Sequence, residues 1–381
     1  MVARVVAGDS RRVHQPATAC FRMNTLLLAP ELFTTDSGIP RIMRLYLKAV
    51  CELAEKKERV RFVTLNDVSV DSADLRPYTT PASLEQWEAC GRDKRRFIRS
   101  TLRLSAGVKL IICGHVAQLP VAWLASWLRP GLRYVLVAHG IEVWRSFNFW
   151  ERRALKGAWC IFCVSEFTRT ELLKNIPLDP SRVIVLPNAL DPELDKDRVD
   201  SASITTSQPV ILTVSRLSST DRYKGIDHLI EAMPAILKTA PATKLRIVGR
   251  GDDSPRLQSL VRDCGVSSNV EFAGYVDDAQ LRHEFTRCTL FALPSEKEGF
   301  GLVYLEAMAH GKPCIAANAG GAPEVITPES GLLVPYADHD ALAKACSEAL
   351  HHEWSATAIR ACAENYSYPK FKSRLSSLLS T

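Results

Sequence analysis

Residues 294–326 most constrain what this chain can fold into. They read P-S-E-K-E-G-F-G-L-V-Y-L-E-A-M-A-H-G-K-P-C-I-A-A-N-A-G-G-A-P-E-V-I. An apolar run at 289–293 precedes them and reads as a buried parallel strand. Pro294 ends that run, and a polar loop follows at 295–298. From Gly299-Phe300-Gly301 onward, Leu302, Leu305, Met308 and Ala309 recur at helical spacing. Gly311 and Pro313 then stop the helix, the first as a left-handed cap and the second as a breaker. A second apolar run at 314–317 follows directly. Strand, loop, helix and strand in this order predict a parallel sheet whose loop lies at the carboxyl edge of the strands, where open α/β sheets bind ligands.

The residues of that loop describe a ligand. Gly299 and Gly301 let backbone come close to a bound group. The first N–H groups of the helix favour an anion such as a diphosphate. Glu298 and Glu306 would repel phosphate, so they face another part of the ligand. An ionised carboxylate only accepts hydrogen bonds, which suits paired hydroxyls. A diphosphate flanked by hydroxyl-rich groups is a nucleotide sugar. The bland alternative for two glutamates at this spacing is a solvated acidic loop ahead of an ordinary helix.

The pattern P-S-x-x-E-G-F-G-L-x-x-x-E-A-M-A-x-G-x-P, then G-G-x-x-E-V-I, resembles the nucleotide-sugar motif of the retaining glycosyltransferases of family 4. That family has the GT-B fold, two doubly wound Rossmann-like α/β domains facing across a cleft. The resemblance implies that Glu298 meets the transferred sugar and Glu306 the nucleotide ribose. It also implies donor contacts from Gly299, Phe300, Gly301 and Leu302.

A length of 381 residues exceeds one ordinary core and predicts two domains. Hydrophobic residues make up 46% and charged residues 24%, the balance of a globular protein without a bilayer-spanning run. Residues 1–22 contain Arg4, Arg11, Arg12 and Arg22 with no apolar core of a signal peptide. They read as a disordered or non-native extension before Met23. The predicted acceptor-binding domain spans 23–200 and the donor-binding domain 201–365. A last helix, within 366–381, is expected from the resemblance to cross back to the first domain.

The 11 cysteines include Cys113, Cys160, Cys163, Cys288 and Cys314 inside apolar runs. They read as small core residues of a reduced compartment. The C-x-x-C at Cys160 and Cys163 falls on a strand, where residues three apart face opposite sides. No second pair completes a zinc site, and no metal ligand set is assigned.

The net charge of +6 is concentrated. Arg92, Lys94, Arg95, Arg96, Arg99, Arg103 and Lys109 interleave with Phe97, Ile98, Leu102 and Leu104, the pattern of a basic amphipathic helix. It suits an anionic membrane surface; a solvated helix face is the alternative. No recognition module for nucleic acid accompanies the charge.

Strand-like runs fall at 25–29, 60–65, 108–113, 134–138, 158–164 and 183–186, with helical segments between. Such alternation predicts a parallel doubly wound sheet. Ser37-Gly38 follows the first strand, where the family often has Gly-Gly beside the donor diphosphate. His139-Gly140 follows the fourth, and the resemblance puts His139 near the reacting sugar carbon. Gly114-His115 is a further acceptor-side candidate. Ser165 reads as a helix cap. Leu186-Pro187-Asn188-Ala189-Leu190-Asp191 resembles the element that closes the first domain, with Ala189 in place of its glycine. A charged, then Ser/Thr-rich linker runs from 191 to 208.

A second alternating series begins at Val210. The loop after its first strand carries Arg216 and, beyond Tyr223, Lys224-Gly225. A fork and a point charge suit a diphosphate without a metal; two surface cations are the alternative. Resemblance to the family's R…K pair assigns them to the leaving nucleotide. Gly249-x-Gly251 lacks the third glycine of a dehydrogenase fingerprint. It resembles the glycines found there in glycosyltransferases, and Tyr275 and Val276 after the next strand are donor candidates on the same ground. The reading is therefore a metal-independent, cytoplasmic transferase, peripheral to the membrane, moving a hexose from a UDP- or GDP-sugar to a saccharide or lipid-linked acceptor. A dehydrogenase, another GT-B enzyme such as an epimerase, and a non-catalytic sugar-nucleotide binding protein are the alternatives.

Overall fold

The computed structural model describes residues 23–35, 37–54, 58–80, 82–195 and 208–380. The expected extension at 1–22 and most of the expected linker lie outside the described residues.

Two wholly parallel sheets form. The first contains β1 (Thr25–Ala29), β2 (Val60–Thr64), β3 (Leu84–Ala89), β4 (Leu110–Cys113), β5 (Arg133–Ala138), β6 (Cys160–Cys163) and β7 (Val183–Val185). Its order is β3-β2-β1-β4-β5-β6-β7. The second contains β8 (Val210–Val214), β9 (Lys244–Val248), β10 (Val270–Gly274), β11 (Leu290–Leu293), β12 (Cys314–Ala317) and β13 (Gly331–Val334), in the order β10-β9-β8-β11-β12-β13. Central strands such as L-L-L at 26–28 and F-A-L at 291–293 are buried on both faces, as helices on both sides of a sheet require.

Strand order reverses between β1 and β4, and again between β8 and β11. Chain leaving neighbouring strands diverges at such points and opens a crevice at their carboxyl ends. The loops after β8 and β11 carry Lys224 and Glu298, so topology alone brings these two residues to one place.

Three cores result. One lies around the second sheet. The other two lie on opposite faces of the first sheet. Cys160 and Cys163 fall in different ones, each a free buried thiol pushed up by burial, Cys160 to about 12. The Gly38–Leu53 helix covers one face together with the last helix, Tyr368–Leu379. Phe371 packs edge-on to Tyr46 at 5.0 Å between ring centres. Tyr368 Oη and Lys372 Nζ both reach Glu52, at 2.9 and 2.8 Å. The end of the chain is thus built into the first sheet's core.

The helices Lys94–Leu104, Leu119–Leu128 and Phe149–Gly157 cover the other face. The sequence reading has no strand between 65 and 108, and the structure corrects it with β3. Its pattern, L-E-Q-W-E-A, has no buried run because β3 is an edge strand with mostly exposed side chains. Trp87 stacks on Phe62 at 6.1 Å instead of entering a core.

Candidate functional site

Lys224 and Glu298 form the centre of the site. Lys224 Nζ lies 2.7 Å from Glu298 Oε2, with side chains 19% and 15% exposed. Lys224 ends a short turn whose next residue, Gly225, has φ +71°; a Cβ there would come within 2.4 Å of the Pro294 carbonyl oxygen. Only glycine lets the two loops close on one another here. The pair matches a group that brings negative charge to Lys224 and hydroxyls to Glu298.

The first domain meets this loop from the other side. A Cβ on Gly299 would lie 2.0 Å from the His139 carbonyl oxygen and 3.2 Å from Gly140 Cα. Gly140, at φ +147°, is confined to glycine by its backbone and by Gly299. His139 Nε2 sits 3.0 Å from the Gly114 carbonyl. An acceptor there makes Nε2 the protonated nitrogen of a neutral ring, and Nδ1 the acceptor. Nδ1 is buried with no hydrogen-bond partner. Burial lowers the imidazole to about 4, against a smaller opposing effect of the Gly114 carbonyl, so the ring is neutral near pH 7. A buried lone pair is thus left without a donor.

Glu306 lies inside the Leu302–Ala309 helix, 7% exposed. Burial raises its carboxyl, and Arg41 works against that rise. Arg41 Nη1 lies 2.9 Å from Glu306 Oε1, while Nη2 bonds Asp278. A small solvent-open pocket lies between Arg41, Ile42, Leu45, Leu190, Leu302 and Glu306. Leu302 also faces Gly38, whose Cβ would meet its methyl at 3.6 Å.

The other sequence-predicted residues are placed by their packing. Arg216 is 72% exposed and pairs with Asp221 at 2.9 Å. Gly249 has a packing role: its Cβ would come 1.8 Å from the Ser215 carbonyl oxygen, so it seats the Arg216 loop. Tyr275 is 56% exposed beneath the Arg250 guanidinium at 4.8 Å, and Val276 is half-buried. Phe300 is buried against Tyr366, 5.3 Å between ring centres. Gly301, at φ +92°, starts the helix, and a Cβ would strike the Tyr304 ring. His115 caps a turn through Nδ1 to the Ala117 N–H.

Sequence reasoning missed the residues that join the domains. Ser165 caps the Glu166–Asn175 helix through the Thr168 N–H, as its sequence suggests. Its hydroxyl also donates to the Gly299 carbonyl at 2.7 Å. Glu324, from the second domain, accepts the N–H groups of Glu166 and Phe167, both at 2.8 Å. A carboxylate is well placed at a helix N-terminus. Glu324 falls within the G-G-x-x-E pattern, which was its available signal. Arg41 and Asp278 carried none.

Among the described residues, no helix is long and apolar enough to cross a membrane. Residues 47–194 match the family described as Glycosyltransferase Family 4, and residues 195–366 the family described as Glycosyl transferases group 1. One relative is a GDP-mannose-dependent alpha-(1-6)-phosphatidylinositol monomannoside mannosyltransferase of Mycobacterium tuberculosis, 32% identical over 273 residues, 66% of this chain and 69% of that protein. A Corynebacterium glutamicum GDP-mannose-dependent monoacylated alpha-(1-6)-phosphatidylinositol monomannoside mannosyltransferase is 40% identical over 153 residues, 38% of this chain and 39% of its own length. Among solved structures, Anabaena Alr3699/HepE in complex with UDP and glucose has a TM-score of 0.75 at 20% identity, covering 94% of this chain and 100% of that one. The two Rossmann-like sheets, the site between them and these matches agree, and the chain belongs to family 4 of the GT-B glycosyltransferases.

Proposed function

We propose that this glycosyltransferase retains anomeric configuration as it moves a hexose from a nucleoside-diphosphate sugar to a lipid-linked saccharide. The Lys224–Glu298 pair beside the His139-Gly140 turn carries this reading. In the mechanism, Lys224 takes the diphosphate oxygens, and Arg216 swings from Asp221 to join it. These cations offset the charge that develops on the leaving nucleotide; the reading calls for no metal. Glu298 accepts sugar hydroxyls, released from Lys224 as phosphate replaces it. The His139 Nδ1 lone pair accepts a hydroxyl proton of the same sugar. Glu306 takes the ribose diol, sharing or exchanging Arg41. The C1–O bond to phosphate breaks with its electron pair going to the diphosphate, and the acceptor hydroxyl attacks C1 from the same face. Its proton leaves with the diphosphate oxygen. Closure of the two domains excludes water, which would hydrolyse the donor.

GDP-mannose is the first donor to test, because the mannosyltransferase relatives are named for it. The acceptor end favours a membrane. Three helices cover one face of the first sheet. Their outer surface carries Lys94, Arg95 and Arg99 with exposed Ile98, Trp127, Leu128, Phe149 and Trp150. Cations beside indole rings suit the headgroup region of an anionic leaflet. Part of this charge is answered at home, since Arg96 and Arg103 pair with Glu88. The enzyme then works as a cytoplasmic protein peripheral to the inner face.

Calorimetric titration with GDP, UDP, ADP, dTDP and NAD, without added metal, tests the donor site. One nucleoside diphosphate should bind saturably, and Glu306→Ala should weaken it about tenfold or more, as loss of a charged hydrogen bond does. Binding of NAD alone, or equal affinity in Glu306→Ala, would reject the assignment. Trp127→Ala combined with Phe149→Ala should lower co-sedimentation with anionic vesicles, and unchanged co-sedimentation would remove the membrane reading.

A further inference from the structure

We propose that the seam between the Ile226–Thr239 and His339–His351 helices is a binding site for a divalent transition-metal ion, zinc by its donor set, held by His228, Glu231 and His339. His228 and Glu231 are three residues apart on one helix and share a face. His339 opens the other helix. Their donor atoms form a triangle with edges between 2.8 and 3.6 Å. His228 Nδ1 is 2.8 Å from His339 Nε2. Glu231 Oε2 is 3.6 Å from the first and 3.2 Å from the second.

Zinc binds imidazole nitrogen and carboxylate oxygen at about 2.0–2.2 Å with tetrahedral angles, which sets its ligand atoms about 3.3 Å apart. The three observed edges centre on that spacing. An ion about 2.05 Å from all three atoms would sit about 0.8 Å off their plane, close to the roughly 0.7 Å of a regular tetrahedral centre. Shifts of a few tenths of an ångström would complete the geometry. The Tyr336 ring lies edge-on to His228 at 5.2 Å and steadies its orientation. Side-chain exposures of 20% for His228, 35% for Glu231 and 41% for His339 leave a path for the ion and a water as fourth ligand.

Two imidazole nitrogens and a carboxylate converging without an ion must share protons among themselves. That hydrogen-bonded cluster is the competing account, and it predicts no metal affinity. None of the three residues is among those assigned to glycosyl transfer. Its helix begins directly after Lys224-Gly225, so a bound ion would tie the element behind the diphosphate loop to the His339 helix. The sequence carries no local signal for this cluster, since His339 lies 111 positions from His228.

The test is cobalt and zinc titration of the full chain freed of any affinity tag. Cobalt should give the visible absorption of tetrahedral coordination at one ion per chain, and zinc should displace it. Zinc at about a hundredfold over its Kd should raise Tm by about 5 °C. His339→Ala and Glu231→Gln should each lose both signals. His351→Ala with His352→Ala, at the other exposed histidine pair, should keep them. No cobalt band, or a band that survives His339→Ala and Glu231→Gln, would overturn the proposal.

Discussion

Substituting Gly299 by alanine adds one methyl where the two domains touch. The new Cβ would lie 2.0 Å from the His139 carbonyl oxygen. Carbon and oxygen need about 3.2 Å, so the surfaces must part by about 1.2 Å. Neither side yields alone. The obstructing atom is backbone, the Gly299 carbonyl is tied to Ser165 at 2.7 Å, and the Glu298 carbonyl holds the Gly321 N–H at 2.7 Å. The strain is relieved by opening the cleft. A misplacement of about 1 Å at a reacting centre costs on the order of 10²-fold in rate, equivalent to about 2.7 kcal/mol of barrier. In the proposed mechanism the nucleoside diphosphate is held mostly by second-domain residues, Lys224 and Glu306, and these contacts survive opening. Gly299→Ala should therefore keep nucleoside diphosphate affinity within about threefold while kcat falls about 10²-fold. Initial-rate transfer assays and calorimetry on the same preparation measure both. A wild-type kcat would refute the view that this closed contact is the reactive geometry. Loss of diphosphate affinity equal to the loss of rate would refute the division of labour between domains.

Three further outcomes follow from named contacts. Lys224→Ala should reduce kcat by about 10²–10³-fold, the usual effect of removing one charge-stabilising group; activity within a factor of two of wild type would remove Lys224 from the leaving-group role. Glu324→Gln weakens the carboxylate cap on the Glu166 and Phe167 N–H groups, so small-angle scattering should show a larger donor-free radius of gyration and kcat should fall about 5-fold; an unchanged radius with unchanged rate would deny it a closing function. His139 has a folded value near 4, below its unfolded value of 6.5. Its neutral form favours the folded state above pH 6.5, and that contribution fades as pH falls toward 4. Between pH 7 and pH 5 the wild type should lose about 2 kcal/mol more than His139→Gln, read from denaturant midpoints. The buried Glu142 carboxyl beside it is raised and acts in the opposite sense, but it is common to both proteins. Parallel pH profiles would show that His139 is not held neutral by burial.

What could be read from sequence, and what could not, divides along a physical line. Strands such as β1 and β11 were legible because burial on both faces makes them unbroken apolar runs. The Lys224–Glu298 meeting followed from strand order, since adjacent strands deliver their loops to one edge. β3 was illegible because an edge strand need not be apolar. The contacts that join the domains were illegible for a different reason. Arg41 meets Glu306 across 265 positions, Ser165 meets Gly299 across 134, and Glu166 meets Glu324 across 158. None involves a periodic pattern, because each is a single polar contact between two separately folded cores. Arg41 lies among apolar residues of its helix and looks like an exposed cation on a helical wheel. It is buried only because Glu306 and Asp278 arrive from the other domain. Glu306 was therefore readable as a candidate site residue, yet its resting partner Arg41 was not. In the proposed mechanism, nucleotide reaching Glu306 shares or displaces a cation anchored in the opposite domain.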